Sequence, residues 1–413
     1  MKVNQGFQII PPEKEITQPS GSTYLMDVFD NELLELIDEH LIKHGYFRIH
    51  EHGQELLHRY PYFINLHEIR IIPSIDKLLD RQITQFVKVD SDGSFSFFIA
   101  RVEEGDKYPF LLNDELNVSQ TVKLILPRFL PLAMFFDKFG QKYPGISGIA
   151  PFFYGDKGRG CGSVLCYDSN FDHHLLLPDS DFLYRHAYQD FKDQLVTQSI
   201  PWEARQEILY WRGSATGDKK NDEEWRIMPR FRLCQLATEV ANQDLFDIKI
   251  TRITNRFSSQ EVISEIKNSG FTAPYTAAID QVKYKYLIDL DGHGSTWTGL
   301  FLRLLTGSTL LKVNSQRGFR QWFHDRLIPW ENYVPIKSDF SDLEETVLYL
   351  KSHDELAKKI GEAGRKLGYS MTLENEINYA LPVILQCLDD NGDLAGLMMD
   401  LDLFSSESRV RYL

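Results

Sequence analysis

Tyr284 to Val313 reads YKYLIDLDGHGSTWTGLFLRLLTGSTLLKV. The apolar run to Leu290 has the length of a buried strand, and glycines at 292 and 294 interrupt it. Apolar residues from Thr296 to Leu305 then recur at helical spacing, and TLLKV (Thr309 to Val313) is a second strand. Strand, glycine loop, helix, strand is the parallel βαβ unit. Gly292 and Gly294 let the backbone approach a ligand, and Ser295 and Thr296 stand where a helix N-cap belongs. Free amides and the positive end of the helix then face an anion such as a diphosphate. Two other phosphate loops are excluded. Trp297 stands where the third glycine of GxGxxG belongs, and no acidic residue closes the next strand at Val313. No Gly-Lys-Ser/Thr occurs at P-loop spacing.

The pattern extends upstream. WEARQEILYWRGSATG (Trp202 to Gly217) is a buried strand ending in Arg212, Gly213 and Ser214. It predicts Arg212 at the carboxyl end of the strand, where open α/β sheets bind ligands, with a planar fork suited to phosphate. Arg230 lies at the start of the next helix, Arg230 to Asn242. Further strands are expected at Ile248 to Ile253 and Tyr333 to Ile336. A helical stretch follows from Ser341 to about Leu367, broken near Ser352-His353, and another helix covers Thr372 to Cys387. Ser341-Asp342-Leu343-Glu344 reads as a capping box.

The amino-terminal part is less regular. Residues 1–22 read as a flexible arm, and Asp27 to His44 as an amphipathic helix. QFVKV and FSFFIARV, joined through Asp92-Gly93, form a hairpin. A helix broken at its prolines is expected from Thr121 to Phe139, a strand from Ile149 to Tyr154 and a helix from Tyr184 to Gln198.

Composition narrows the function. The 413 residues are 43% hydrophobic and 25% charged with a net charge of −14. That acidity argues against general nucleic-acid binding, which needs cations to displace phosphate counterions. Four cysteines, Cys161, Cys166, Cys234 and Cys387, make no disulfide framework and no CxxC pair. The first 22 residues hold no apolar core of signal-peptide length, and no run reaches transmembrane length. The chain is therefore placed in the cytoplasm, with attachment to a membrane surface left open.

YWRGSATG, then MPRFRL, KYKYLIDLDGHGSTW and PWENYVPIKSDFSDLEETV occur in this order, and the series resembles glycosyltransferase family 90. That family includes protein O-glucosyltransferases, capsule-associated xylosyltransferases and bacterial lipopolysaccharide glycosyltransferases. The likeness runs over about residues 120–370 and is weaker before. It implies an α/β fold of GT-B type, two Rossmann-like domains facing a cleft. On that scheme residues 23–198 bind the acceptor, 199–370 bind the nucleotide sugar, and 371–413 form a helix and tail. It implies an inverting transfer from a UDP-sugar, with glucose or xylose as the sugar, to a glycan or protein hydroxyl. No cofactor and no metal are expected. Arg212, Ser214, Arg230, Gly292, His293, Gly294, Ser295 and Thr296 match donor-site positions. Asp156, at the end of IAPFFYGD, matches the catalytic base, with Asp168 and Asp172 as rivals. The chain ends Val-Arg-Tyr-Leu, which is no ER-retention signal, and with few cysteines and no leader expected the bacterial branch fits better than the secretory one.

One position departs from the family: Thr298 follows Trp297 where many relatives carry a basic residue, and the nearest arginine is Arg303. A catalytically silent member that binds carbohydrate or protein is the alternative this departure favours. Asp289-Leu290-Asp291 imitates a metal-binding DxD, but the glycine loop follows at once. His173 and His174 read as a hydrogen-bonding loop pair, and Trp330 and Tyr333 as core. Asp339 and Ser341 stand near the end of a strand that could reach the donor's ribose or sugar.

Overall fold

The structure, a computed structural model, describes residues 24–25, 69–72, 76–83, 85–100, 128, 131–155, 158, 160–254, 257–398 and 401. The expected arm at 1–22 and the helix at 27–44 lie outside them. The chain divides into two α/β units, the division of the GT-B type. The described part of one comes from residues up to 167, 171–184 and 374 onward, and of the other from 168–170 and 185–373.

The first unit holds a seven-stranded mixed sheet in the order β1-β2-β4-β3-β5-β6-β7. Its strands are β1 (Tyr24–Leu25), β2 (Ile69–Ile72), β3 (Gln85–Val89), β4 (Phe95–Ala100), β5 (Gly148–Phe153), β6 (Leu165–Cys166) and β7 (Leu175–Leu176). Helices α1 (Asp76–Leu79), α2 (Leu132–Lys142) and α3 (Ser180–Tyr184) accompany them. β3 and β4 form the hairpin that Asp92-Gly93 signals. Gly93 sits at φ 87°, its amide bonds to the Asp90 carbonyl at 2.9 Å, and Phe86 stacks on its cross-strand partner Phe98 at 5.0 Å. This sheet differs from a Rossmann sheet because its central strands are antiparallel: β3 pairs antiparallel with both β4 and β5.

The second unit holds a five-stranded, wholly parallel sheet: β8 (Gln206–Ala215), β9 (Phe246–Ile253), β10 (Tyr284–Asp289), β11 (Thr309–Val313) and β12 (Val334–Ile336). Their spatial order is β12-β11-β10-β8-β9. The unit opens with α4 (Gln189–Gln198). Helices α5 (Pro229–Glu239), α6 (Gln260–Asn268) and α7 (Trp297–Leu305) connect successive strands, and α8 (Leu343–Ser352) and α9 (Asp354–Ser370) follow β12. Tyr286, Leu287 and Ile288 of the central β10 have no exposure, as an apolar run in a sheet buried on both faces must. Each such aliphatic side chain contributes about 1.5–3 kcal/mol relative to exposure.

Three local expectations are corrected. The single helix from Tyr184 to Gln198 is two, because His186, Ala187 and Tyr188 take left-handed φ values of 47°, 56° and 58° between α3 and α4. The capping box is not formed: Asp342 is the N-cap, its carboxylate accepts from the Lys337 amide at 3.0 Å, and Glu344 accepts from Asn242 at 2.8 Å. Trp330 is not core. It is 44% exposed at φ 62°, with its ring edge-on to Tyr349.

After α9 the chain returns to the first unit through α10 (Leu373–Asp390). Leu394 and Leu401 pack into that unit's core with Phe86, Phe98 and Ile149, and the Asn391 side-chain Nδ2 donates to the Ser163 carbonyl at 2.8 Å.

Candidate functional site

The strand order of the second unit creates a crevice. β8 and β10 are neighbours, yet the chain leaves β8 for β9 on one side and β10 for β11 on the other. Connections diverging from adjacent parallel strands open a gap beyond their carboxyl ends, where doubly wound sheets bind ligands. The segments after β8, β10 and β11 are residues 216–219, 290–296 and 314–318.

Arg230, the second residue of α5, ties this place together. Its Nη1 donates to the Ser214 carbonyl at 2.9 Å, its Nη2 to Leu290 at 3.3 Å and its Nε to Asp291 at 3.1 Å. It thus joins the ends of β8 and β10. Arg230 is buried, and burial pulls it down to about 10, still far above neutral. Gly292 packs directly on it. A Cβ there would lie 2.5 Å from the Thr216 hydroxyl and 2.9 Å from Arg230 Nη2. Glycine is needed for close approach of backbone to side chain.

The loop then delivers α7. Gly292 N–H donates to the Gly294 carbonyl at 2.9 Å. Thr296 takes the N-cap position, but its hydroxyl donates back to the Leu290 carbonyl at 3.0 Å and caps no helix amide. Ser295 N–H donates to Asp168 Oδ2 at 2.8 Å. Asp168 has no exposure, and its Oδ1 is buried with no hydrogen-bond partner. Burial pushes this carboxyl up to about 7, against hydrogen bonds from Ser295 and Trp297 that pull it down.

Arg212 is not in this crevice. Its Nη2 grips both carboxylate oxygens of Asp247 at 2.7 and 2.8 Å, and its Nη1 donates to the Asp247 carbonyl at 2.9 Å. Asp247 lies at the start of β9, opposite Tyr210, and the guanidinium stacks over the Tyr210 ring. The fork turns back along the sheet toward an anion the chain already supplies. Ser214 is half-buried, and its carbonyl serves Arg230 and the Thr216 amide. The carboxylates of the DxD lookalike have separate partners: Asp289 takes Arg303 Nη1 at 2.8 Å, and Asp291 takes the Ser315 hydroxyl.

Sequence reasoning missed Arg317. It stands in the segment after β11, and its Nη2 donates to the Gly292 carbonyl at 2.9 Å and the His293 carbonyl at 2.8 Å. Its Nη1 pairs with Asp218, which follows β8 and also faces His293 Nδ1 at 3.7 Å. All three segments thus converge on one cluster. The available signal was positional: residues after any strand flanking the switch point are candidates.

Asp156 lies outside the described residues. Asp172 is exposed in the first unit, whereas Asp168 is committed to the glycine loop. His174 Nε2 meets the Gly160 carbonyl at 3.0 Å and His174 packs against His173, a hydrogen-bonded loop pair.

Comparison with known proteins matches this half of the chain. The family model described as Glycosyl transferase family 90 covers residues 185–384. Uncharacterized protein 027R of Frog virus 3 is 30% identical over 217 residues, which is 48% of this chain and 22% of that protein. Protein O-glucosyltransferase 1 of Rattus norvegicus is 27% identical over 176 residues, 42% of this chain and 40% of that protein. The chain therefore spans less than half the length of these relatives. Among solved structures, the crystal structure of TarM is similar at a TM-score of 0.32 and 14% identity, over 45% of this chain and 36% of that one. The residues matched by that family model, 185–384, are those that carry the parallel sheet, Arg230 and the glycine loop.

Proposed function

We propose that the chain is an inverting glycosyltransferase that moves glucose or xylose from a UDP-sugar to an acceptor hydroxyl on a glycan or a protein. The observation that carries this reading is the amino-terminus of α7, presented by the glycine loop at the switch point between β8 and β10. Its amides and dipole suit the diphosphate that departs as the sugar is transferred. The relatives named protein O-glucosyltransferase favour glucose and a protein acceptor. The resemblance also admits xylose and lipopolysaccharide.

In the proposed reaction Asp156 takes the proton of the acceptor hydroxyl. The hydroxyl oxygen attacks the anomeric carbon, the bond from that carbon to the phosphate oxygen breaks, and UDP leaves. Inversion follows from a single displacement. No metal is assigned a role, and the charge of the leaving group falls to α7 and neighbouring cations. Free thiols at all four cysteines support a reducing compartment, and we place the chain in the cytoplasm.

Calorimetric titration with UDP, UDP-glucose and UDP-xylose in EDTA tests the reading. Binding without added metal is expected. Binding that appears only with manganese would overturn the metal-independent mechanism. The absence of any binding would overturn the donor assignment. The second reading, a silent carbohydrate- or protein-binding member, rests on Thr298 and predicts neither transfer nor donor hydrolysis in the presence of a glycan acceptor.

A further inference from the structure

The buried arginines around the glycine loop already have partners. Arg303 is buried on Asp289, and Lys312 is buried in β11, where its charge acts on Asp291. Arg230 is buried, with three N–H groups directed at backbone carbonyls. Turning Arg230 toward a ligand would unmake the strand ends that it joins, and turning Arg303 would leave Asp289 without its cation. The first turn of α7 offers Trp297, Thr298 and Gly299, which include no cation. A nucleoside diphosphate brings several negative charges to the mouth of this cluster. Helix amides alone supply only a partial charge.

Arg317 differs from the others. One third of its side chain is exposed, and its carboxylate partner, Asp218, is half exposed. An exposed ion pair of this kind is worth only about 0–1 kcal/mol, so exchanging one anion for another costs little. Asp218 places its carboxylate between Arg317 and His293, beside the loop that leads to α7. This is an anion site at the edge of the crevice, filled by the protein's own carboxylate. Gly217, at φ 143°, precedes Asp218 in the turn that carries it.

We propose that Arg317 supplies the cation for the donor's diphosphate and that Asp218 holds its place until the donor binds. The inference rests on the nucleotide-sugar reading of the same site. Nη2 keeps its bonds to the Gly292 and His293 carbonyls, and Nη1 exchanges the Asp218 carboxylate for a phosphate oxygen. Asp218 swings to solvent.

The test compares UDP with uridine, which lacks the phosphates. Both are titrated in EDTA into the wild-type chain, Arg317→Gln, Arg317→Lys and Asp218→Asn, with ligand-observed NMR for the weaker nucleoside. Arg317→Gln should weaken UDP on the order of 10- to 100-fold, the worth of a charge-assisted bond, and leave uridine unchanged. Arg317→Lys should recover part of the loss. Asp218→Asn should tighten UDP by about 3- to 10-fold, since it removes the competing charge. If Arg317 only braces the loop, Arg317→Gln weakens uridine as much as UDP, and Asp218→Asn weakens UDP. Either result overturns the proposal, as does unchanged UDP affinity in folded Arg317→Gln. If Arg317→Gln does not fold, the sign of the Asp218→Asn effect decides. A wild-type chain that binds neither compound rejects the donor reading itself and the proposal with it.

Discussion

Asp168 brings a carboxylate to a place with no solvent exposure and gives one oxygen to the Ser295 amide. Burial raises its carboxyl to about 7, whereas in the unfolded chain it titrates near 3.8. The folded state therefore holds a proton that the unfolded state releases between about pH 4 and pH 7. Stability contributed by this group is present at the acid end, falls as pH rises through that window, and is level above it. Asp168→Asn keeps an oxygen for the Ser295 amide and removes the charge. Thermal unfolding of this variant should match the wild type near pH 4 and occur at higher temperature than the wild type at pH 8. A variant less stable at pH 8 would mean that the ionised carboxylate holds the loop. Arg212 gives the complementary lesson. Its position after the ILYW strand is plain in the sequence, but its direction is set by Asp247, thirty-five residues on and adjacent only because β9 pairs with β8.

At the scale of elements, the glycine loop and α7 act as one piece. Gly292 has Thr216 on one side and Arg230 on the other, so a side chain there must move one of them. Gly292→Ala is expected to cost about 1–3 kcal/mol of stability, as overpacking does. It should also weaken UDP by roughly tenfold or more, since a shift of the loop turns the α7 amides off the phosphate. Calorimetry and thermal melts measure the two effects. Loss of stability with intact UDP affinity would separate the loop from the ligand. The elements of the second unit were legible because buried parallel strands are continuous apolar runs: TLLKV became β11 residue for residue. The glycine loop was legible as a connection because Gly292 and Gly294 interrupt the apolar run between a strand and a helix. Arg317 was not, because nothing in NSQRGF says that its guanidinium reaches back to Gly292 across the end of β10. Trp330 was misread because a tryptophan beside a strand is usually packed, and its left-handed backbone turns it outward. The mixed sheet of the first unit offered only short strands, and their pairing is not local.

Across the whole chain, a net charge of −14 and four free thiols do not choose the catalytic carboxylate. The proposal assigns donor and base to different residues, so the two functions must separate under mutation. Asp168 is unexposed, and one of its carboxylate oxygens is committed to the Ser295 amide. Its replacement should act through the donor loop. Asp172 is exposed. Asp156 follows β5 in the sequence, and the proposed reaction gives it the role of base. Asp156→Asn preserves shape and hydrogen bonding but cannot accept a proton usefully. Turnover should fall by about 10²- to 10⁴-fold, the usual worth of acid–base catalysis, while UDP affinity stays within a factor of about two. Transfer assays and titrations on Asp156→Asn, Asp168→Asn and Asp172→Asn together decide. Normal turnover in Asp156→Asn with loss in Asp172→Asn moves the base sixteen residues along the chain. Normal turnover in all three places it outside this segment. Parallel loss of turnover and UDP affinity in Asp156→Asn would make it a donor residue, and the single-displacement mechanism would then need another base.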